Sequence, residues 1–166
     1  MIIRDEKASD IEAISEITAA AFANHPHSQQ TEPFIIHALR GANALALSLV
    51  AVVEGRVVGH IAFSPVSISG RSCDWYGVGP VSVVPDCQKR GIGKALIQEG
   101  LSVLRSQGAK GCMLVGDPNY YVPFGFRNLP ELVLEGVPRE YFLVLPFGEN
   151  RASGVVEFHE AFRAKG

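Results

Sequence analysis

The stretch from residue 81 to residue 95 has the residue types of a phosphate-binding turn. A β-branched run ends at Val84, a short turn contains Gly91 and Gly93, and a helical pattern follows. Three basic residues lie in or beside the turn: Lys89, Arg90 and Lys94. The first turn of a helix has unpaired N–H groups and the positive end of the helix dipole, and both stabilise an anion. The sequence therefore predicts a site for a phosphorylated ligand.

Two common phosphate-binding motifs do not match this turn. A nucleotide P-loop has the pattern GxxxxGK followed by Ser or Thr, whose hydroxyl holds magnesium. Here Gln88 stands in place of its first glycine and Ala95 in place of its hydroxyl residue. A dinucleotide-binding fingerprint has the pattern GxGxxG, and here Leu96 stands in place of the third glycine. Both classes of nucleotide-binding protein are therefore disfavoured.

Apolar spacing and turn residues predict the elements that position this turn. Ser9 and Glu12 fit a capping box at the start of an amphipathic helix over 10–22. Glu54 and Gly55 fit a two-residue hairpin turn. The other predicted elements are strands at 2–3, 45–53, 56–63, 76–84, 112–115, 132–134 and 141–146, with helices at 31–41 and 94–107.

The order of these elements predicts an α/β domain with a mixed, largely antiparallel sheet. We expect the last two strands, 132–134 and 141–146, to close one edge of the sheet. Gly100 lies inside the main helix at a cost of about 1 kcal/mol against alanine. It predicts that this helix packs closely on the sheet.

The composition limits the class of protein. The chain has 166 residues, of which 47% are hydrophobic and 19% charged, which suits one globular domain. A net charge of −2 gives no general attraction to nucleic acid. The three cysteines form no CxxC pair, which argues against a disulfide framework or a zinc site. No run approaches the ~20 apolar residues of a membrane span, so we expect a cytoplasmic protein.

Two motifs resemble the GNAT superfamily of N-acetyltransferases. Residues 88–93 (Q-K-R-G-I-G) follow a strand and match the superfamily pattern Q/R-x-x-G-x-G/A. Residues 116–126 have the form G-D-P-x-Y-Y-x-x-F-G-F, which resembles a bacterial branch of the superfamily. The resemblance covers residues 2–147 and leaves 148–166 as a C-terminal extension of a single domain. It implies a mixed, mostly antiparallel sheet that is flanked by helices and has splayed central strands.

The resemblance also implies that acetyl-CoA is the acyl donor and that no metal ion takes part. In the family, main-chain amides of the turn bind the pyrophosphate, and the preceding strand pairs with the pantetheine arm. This pairing requires the strands at 81–84 and 112–116 to splay apart. The implied cofactor-binding residues are Val81, Ser82, Val83, Gln88, Lys89, Arg90, Gly91, Ile92, Gly93, Lys94, Asn119 and Phe124.

Acetyl transfer to an amine needs an oxyanion donor and an acid for the leaving thiolate. The main-chain N–H of Val83 is the predicted oxyanion donor. Tyr121 matches the general acid of the family, because a phenol can donate to a forming thiolate. Tyr120 takes this role if the register differs by one residue. The alternative interpretation is that Tyr121 only packs in an aromatic cluster.

The sequence does not identify the general base that would remove the proton of the amine. Five side chains are candidates: His25, His27, His60, Asp74 and Asp117. The histidines are explained more simply as loop or core residues, and Asp117 as a helix cap. Cys87 lies near the phosphate turn without a partner that would activate it, and it is interpreted as a packing residue.

The predicted activity is acetyl-CoA-dependent acetylation of a primary amine by direct attack in a ternary complex. The acceptor is a small molecule or a peptide, and neither nucleic acid nor a membrane is an expected partner. One alternative is a non-catalytic acyl-CoA sensor, and another is a transferase that uses a different acyl group. The apolar C-terminal strands also make a homodimer plausible.

Overall fold

Eight strands and four helices make up the fold. A computed structural model describes residues 1–166. The strands are β1 (Ile2–Asp5), β2 (Leu47–Val53), β3 (Arg56–Ile68), β4 (Arg71–Val83), β5 (Gly111–Val115), β6 (Leu132–Val133), β7 (Phe142–Pro146) and β8 (Gly154–Phe158). The helices are α1 (Ile11–Phe22), α2 (Glu32–Gly41), α3 (Ile92–Ser106) and α4 (Pro118–Tyr121). Short 3₁₀ turns include Pro85–Cys87, Val122–Phe124 and Glu160–Arg163.

The main sheet has the strand order β1-β2-β3-β4-β5-β7. All neighbours in this order are antiparallel except β4 and β5, which run parallel because α3 connects them. The predicted fold class, a mixed and mostly antiparallel sheet with flanking helices, is confirmed. The predicted phosphate turn lies in the connection between the two strands of this parallel pair.

Two tight hairpins build the centre of the sheet. Glu54 and Gly55 have φ values of +50° and +76°, and the pair Ser69–Gly70 has the same two values. Positive φ at both central residues is the geometry of the two-residue turns that suit twisted strands. The predicted turn at Glu54 and Gly55 is confirmed, whereas β4 begins at Arg71, five residues before the predicted start at residue 76. The run Arg71–Asp74 is polar, so no apolar pattern in the sequence marks it as the first part of β4.

Helix α3 packs on one face of the sheet at glycine contacts. A Cβ on Gly100 would collide with the ring of Phe63, and a Cβ on Gly59 would lie 3.0 Å from Leu96. Both glycines therefore allow close approach of the helix to β3, and the prediction for Gly100 is confirmed. The largest cluster of buried apolar side chains lies between α3 and the sheet.

The opposite face of the sheet is covered by α1, α2 and the C-terminal segment. Strand β8 pairs with the end of β3, and β6 pairs with β8. The prediction that 132–134 closes an edge of the sheet is therefore wrong, whereas β7 does form the edge beside β5. Only two residues of the apolar run 132–134 form β-pairs, and their partner is a strand that the sequence pattern did not reveal.

The predicted capping box at Ser9 is also wrong. A 3₁₀ turn over Ala8–Asp10 precedes α1, and Ser9 makes no capping hydrogen bond. The carboxylate of Asp10 instead accepts a hydrogen bond from the main-chain N–H of Lys7 at 2.7 Å and pairs with Arg4 at 2.7 Å. Asp10 thus reaches back across the 3₁₀ turn to Lys7, and α1 itself begins without a side-chain cap.

Candidate active site

The turn between β4 and α3 presents free main-chain N–H groups. Lys89 has a φ of +65°, and Gly91, the first residue before the helix, has a φ of +83°. The N–H groups of residues 89–94 make no main-chain hydrogen bond. Gly93 allows close packing, because a Cβ there would lie 3.2 Å from the hydroxyl of Tyr120. This turn has the geometry of an anion-binding helix N-terminus.

Beside this turn the central strands separate. β4 and β5 pair only over Trp75–Gly77 and Gly111–Met113, so the predicted splay is present. A register irregularity between β3 and β4 falls opposite the Ile61–Phe63 segment, where Gly79 has a φ of +124°. Beyond that point β4 pairs with β3 alone. The separation leaves a gap between the upper parts of β4 and β5.

The main chain of β4 faces this gap at alternate residues. In an antiparallel pair, every second residue hydrogen-bonds to the partner strand. The N–H of Val84 donates to the carbonyl of Val58, and Ser82, two residues earlier, is therefore the next residue of β4 that bonds to β3. The N–H and C=O groups of Val81 and Val83 therefore point away from β3 and toward the gap. The side chain of Gln88 donates to the carbonyl of Val83 at 3.0 Å, which links the turn to this strand.

Helix α4 and the 3₁₀ turn after it supply an aromatic wall. Asp117 caps α4 by accepting a hydrogen bond from Asn119 N at 2.9 Å. The Tyr121 ring lies over Gly116, where a Cβ would be 2.6 Å from its Cε2 atom. Its centroid is 5.9 Å from that of Phe126. Tyr121 therefore stands where β5 ends, at the open end of the gap.

The two neighbouring tyrosines occupy different surroundings. Burial, with a smaller contribution from Tyr120, raises the pKa of Tyr121 to about 12. The Tyr121 phenol is therefore protonated throughout the physiological range, and its oxygen makes no hydrogen bond within the protein. Tyr120 is 45% exposed and lies next to the phosphate turn instead.

A groove of about 600 Å³ runs from the phosphate turn along α3. One wall is a face of α3, and the other is α4 with the turn after it. The lining residues are Lys94, Gln98, Leu101, Arg105, Asn119, Tyr120, Pro123 and Phe124. The guanidinium of Arg105 also stacks on the ring of Phe147 at 4.6 Å. Lys94 and Arg105 give the groove the positive charge that suits a phosphorylated ligand.

His60 is buried on β3 in a chain of hydrogen bonds. Its Nε2 lies 2.7 Å from Ser48 Oγ, which also contacts the carboxylate of Glu6. That carboxylate pairs with Arg40 at 3.0 Å. Because a carboxylate only accepts, Ser48 donates to Glu6 and accepts from His60, so the proton of His60 is on Nε2.

The surroundings of His60 make it a weak base. Burial lowers its pKa to about 4, and Arg40 adds to this effect while Glu6 opposes it. Its Nδ1 atom is buried without a hydrogen-bond partner. The ring is therefore neutral near pH 7 and has little tendency to take a proton from an amine.

The remaining candidate bases do not face the gap from a buried position. His25 and His27 are exposed in the loop between α1 and α2. Asp74 is exposed near the beginning of β4, and Asp117 is occupied as the cap of α4. Cys87 is buried in the main core cluster. No group of His, Cys, Asp or Glu side chains is arranged to hold a metal ion, and no helix is long and apolar enough to cross a membrane.

Comparison with known proteins settles the family. A family model described as an acetyltransferase (GNAT) domain matches residues 2–128, which is more than half of the chain. The chain belongs to the GNAT family. The predicted family and the predicted enzyme class, an N-acetyltransferase, are confirmed.

Similar proteins extend over nearly the whole GNAT chain. It is 32% identical over 169 residues to the uncharacterized N-acetyltransferase YhbS of Escherichia coli K12, and the match covers 98% of both chains. A GNAT family acetyltransferase from Brucella melitensis, crystallised with acetyl-CoA, is 48% identical, with a TM-score of 0.87 and 97% coverage of both chains. Escherichia coli YhbS in complex with CoA gives a TM-score of 0.90 at 31% identity, covering 99% of this chain and 93% of that one.

Part of the groove in this GNAT domain was not found by sequence reasoning. Gln98, Leu101 and Arg105 line it together with the predicted residues Lys94, Asn119 and Phe124. The available signal was the spacing of 4, 7 and 11 residues from Lys94, which places these side chains on one helix face. The second wall comes from α4, and helical spacing alone does not reveal which face of α3 it meets.

Proposed function

We propose that this GNAT domain transfers the acetyl group of acetyl-CoA to a primary amine by direct attack in a ternary complex. The observation that carries the proposal is the gap between β4 and β5, which opens directly beside the free N–H groups of residues 89–94. The cofactor arm can add to β4 as a short strand while the pyrophosphate binds the turn. The Brucella and Escherichia coli relatives in complex with acetyl-CoA and CoA support this arrangement.

The cofactor contacts divide into three regions. Val81 would bind the amide-bearing arm through its main-chain N–H and C=O groups, and Val83 through its carbonyl oxygen, with Ser82 between them. The turn would hold the pyrophosphate through main-chain N–H groups and nearby positive charge; its residues are Gln88, Lys89, Arg90, Gly91, Ile92, Gly93 and Lys94. Asn119 and Phe124 would contact the rest of the cofactor from the second wall of the groove.

The chemistry then requires one proton to move from nitrogen to sulfur. The neutral amine attacks the thioester carbon, and the N–H of Val83 stabilises the oxyanion. As the C–S bond breaks, Tyr121 donates its proton to the departing thiolate and regains one from the new ammonium group. Its pKa of about 12 lies roughly three to four units above that of a free thiol, so the phenolate does not accumulate.

A thiol-release assay with a panel of primary amines tests this function. We expect amine-dependent release of CoA, and a fall of about 10²-fold in kcat for Tyr121→Phe with an unchanged Kd for acetyl-CoA. Tyr120→Phe is the matched control, and it should alter the KM for acetyl-CoA rather than kcat. Tight acetyl-CoA binding without release by any amine would favour the sensor instead. A cytoplasmic location, a homodimer and the choice between a small-molecule and a peptide acceptor stay predictions.

A further inference from the structure

The hydroxyl of Tyr120 stands beside the first turn of α3. A Cβ on Gly93 would lie 3.2 Å from this hydroxyl oxygen, and the next nearest atom, on Val83, would be 3.8 Å away. The Tyr120 side chain is 45% exposed and lines the groove. Its hydroxyl makes no hydrogen bond within the protein. The phenol is therefore free to bind a ligand at this turn.

This hydroxyl lies on the side of the turn to which the free N–H groups point. In a helix each Cα–Cβ bond tilts toward the N-terminus, and the N–H groups of the first turn point the same way. The hydroxyl is next to the position that a Cβ of Gly93 would take, so it flanks the N-terminal end of α3. An anion bound to the free N–H groups of residues 89–94 would therefore lie within reach of the phenol.

Aromatic contacts hold the Tyr120 ring in this orientation. Its centroid is 4.9 Å from that of Tyr121, with the two planes at 84°, and 5.7 Å from that of Phe124. Edge-to-face packing of this kind is a favoured arrangement of aromatic rings. The main-chain N–H of Tyr120 also donates to the carbonyl of Asp117 at 3.1 Å. The hydroxyl is thus presented by a packed wall, so that little side-chain freedom is lost when it binds.

The Tyr120 phenol is a neutral hydrogen-bond donor near pH 7. Burial raises its pKa above the ordinary value of about 10, so the proton is retained. Lys89, Arg90 and Lys94 bring positive charge to the same turn, but flexible side chains give that charge little direction. Tyr120 adds a donor of fixed direction to the main-chain N–H groups.

We infer that the Tyr120 hydroxyl donates a hydrogen bond to the pyrophosphate of acetyl-CoA. This inference rests on the proposed function, which puts the pyrophosphate at the turn. The two adjacent tyrosines then serve opposite ends of the cofactor arm: Tyr120 binds the phosphorylated end, and Tyr121 acts at the sulfur. An acyl donor that lacks the pyrophosphate, such as S-acetylpantetheine, gains nothing from the Tyr120 hydroxyl.

Removal of the hydroxyl tests this contact, since Tyr120→Phe retains the ring and its packing. We expect the Kd for acetyl-CoA to rise about tenfold, because a hydrogen bond to an anion is stronger than one between neutral groups. Tyr141→Phe is the matched control, because Tyr141 is 43% exposed and does not line the groove. Isothermal titration measures both variants. An unchanged Kd in Tyr120→Phe would overturn the inference.

Two partial ligands separate the phosphate contact from packing of the ring. S-acetylpantetheine lacks the pyrophosphate, and inorganic pyrophosphate lacks everything else. We expect Tyr120→Phe to leave the KM for S-acetylpantetheine within about twofold of the wild-type value, and to raise the inhibition constant of inorganic pyrophosphate against acetyl-CoA about fivefold or more. An equal loss with S-acetylpantetheine and acetyl-CoA would show that the ring only packs, and it would overturn the inference.

Failure of the proposed function would give a different result. If wild-type protein does not bind acetyl-CoA, the cofactor site itself is wrong. If wild-type protein binds acetyl-CoA and Tyr120→Phe binds it equally well, only the role of Tyr120 is wrong. The titration of wild-type protein therefore distinguishes the two failures.

Discussion

At the scale of single residues, Tyr121 and His60 show how burial decides the chemistry that a side chain can perform. Burial raises the pKa of Tyr121 to about 12, so the phenol remains a proton donor. Burial lowers the pKa of His60 to about 4, so the imidazole remains neutral. Neither group therefore changes its charge between pH 6 and pH 9.

The reaction rate should accordingly follow the protonation of the amine itself. Because no buried base faces the gap, we expect log kcat/KM for an alkylamine to rise with pH from 6 to 9 with a slope near 1. The rise reflects the growing fraction of free amine below its pKa, which is near 10 for a lysine-like group. Initial rates of thiol release across this range check the slope. A plateau that begins near pH 7 would contradict it and reveal a base on the enzyme.

At the scale of elements, the turn before α3 is the feature that the sequence predicts best. Its glycines and its place between a strand and a helix are local properties, and the free N–H groups follow from them. The wall formed by α4 and the pairing of β8 with β3 are not local. The β8 partners of β3 lie 88 to 92 positions away in the sequence, and Tyr120 of α4 lies 27 positions from Gly93; periodicity encodes neither contact.

The prediction of a cap at Ser9 failed because a residue of similar chemistry lies beside it. Ser9 and Asp10 are both residue types that favour a helix start, and only Asp10 makes a hydrogen bond there, to the N–H of Lys7 and beside its ion pair with Arg4. At the site, the motif favours Tyr121 as the general acid and leaves the adjacent Tyr120 as the alternative. Their different burial separates them, with only Tyr121 packed against the main core.

The turn gives a prediction that separates charge from backbone strain. Gly91 has a φ of +83°, so any side chain there costs about 1–2 kcal/mol of stability. Gly91→Glu would in addition bring a negative charge to the phosphate site, and we expect the Kd for acetyl-CoA to rise at least 100-fold. Gly91→Gln has the same shape without the charge and should raise the Kd about tenfold. Isothermal titration would contradict this account if both variants lost the same affinity.

At the scale of the whole molecule, His60 couples stability to pH. The folded protein holds the ring neutral down to a pKa of about 4, whereas the unfolded chain takes a proton near pH 6.5. The unfolded state therefore binds more protons between these values, and stability falls as pH decreases through that window. The full loss is about 3 kcal/mol by pH 4. Glu6 and Arg40 are the charged groups that face the ring.

Urea unfolding at pH 7, 6 and 5 measures this effect. We expect the free energy of unfolding of wild-type protein to fall by about 1 kcal/mol per pH unit below pH 6 from this residue. His60→Gln retains a donor toward Ser48 but does not titrate, so its dependence on pH should be flatter by that amount. Identical pH dependence in the two proteins would show that His60 is not kept neutral by the fold.

Binding of the cofactor is the most direct test of the central claim, that the gap and the turn form an acetyl-CoA site. Thermal melts are recorded with acetyl-CoA, desulfo-CoA, ATP and NAD, each in large excess. A ligand at 100 times its Kd adds about 2.7 kcal/mol, which is roughly 5–10 °C for a domain of this size. We predict that the two CoA compounds alone raise the midpoint. No shift with either of them, and a clear shift with ATP or NAD, would contradict the account.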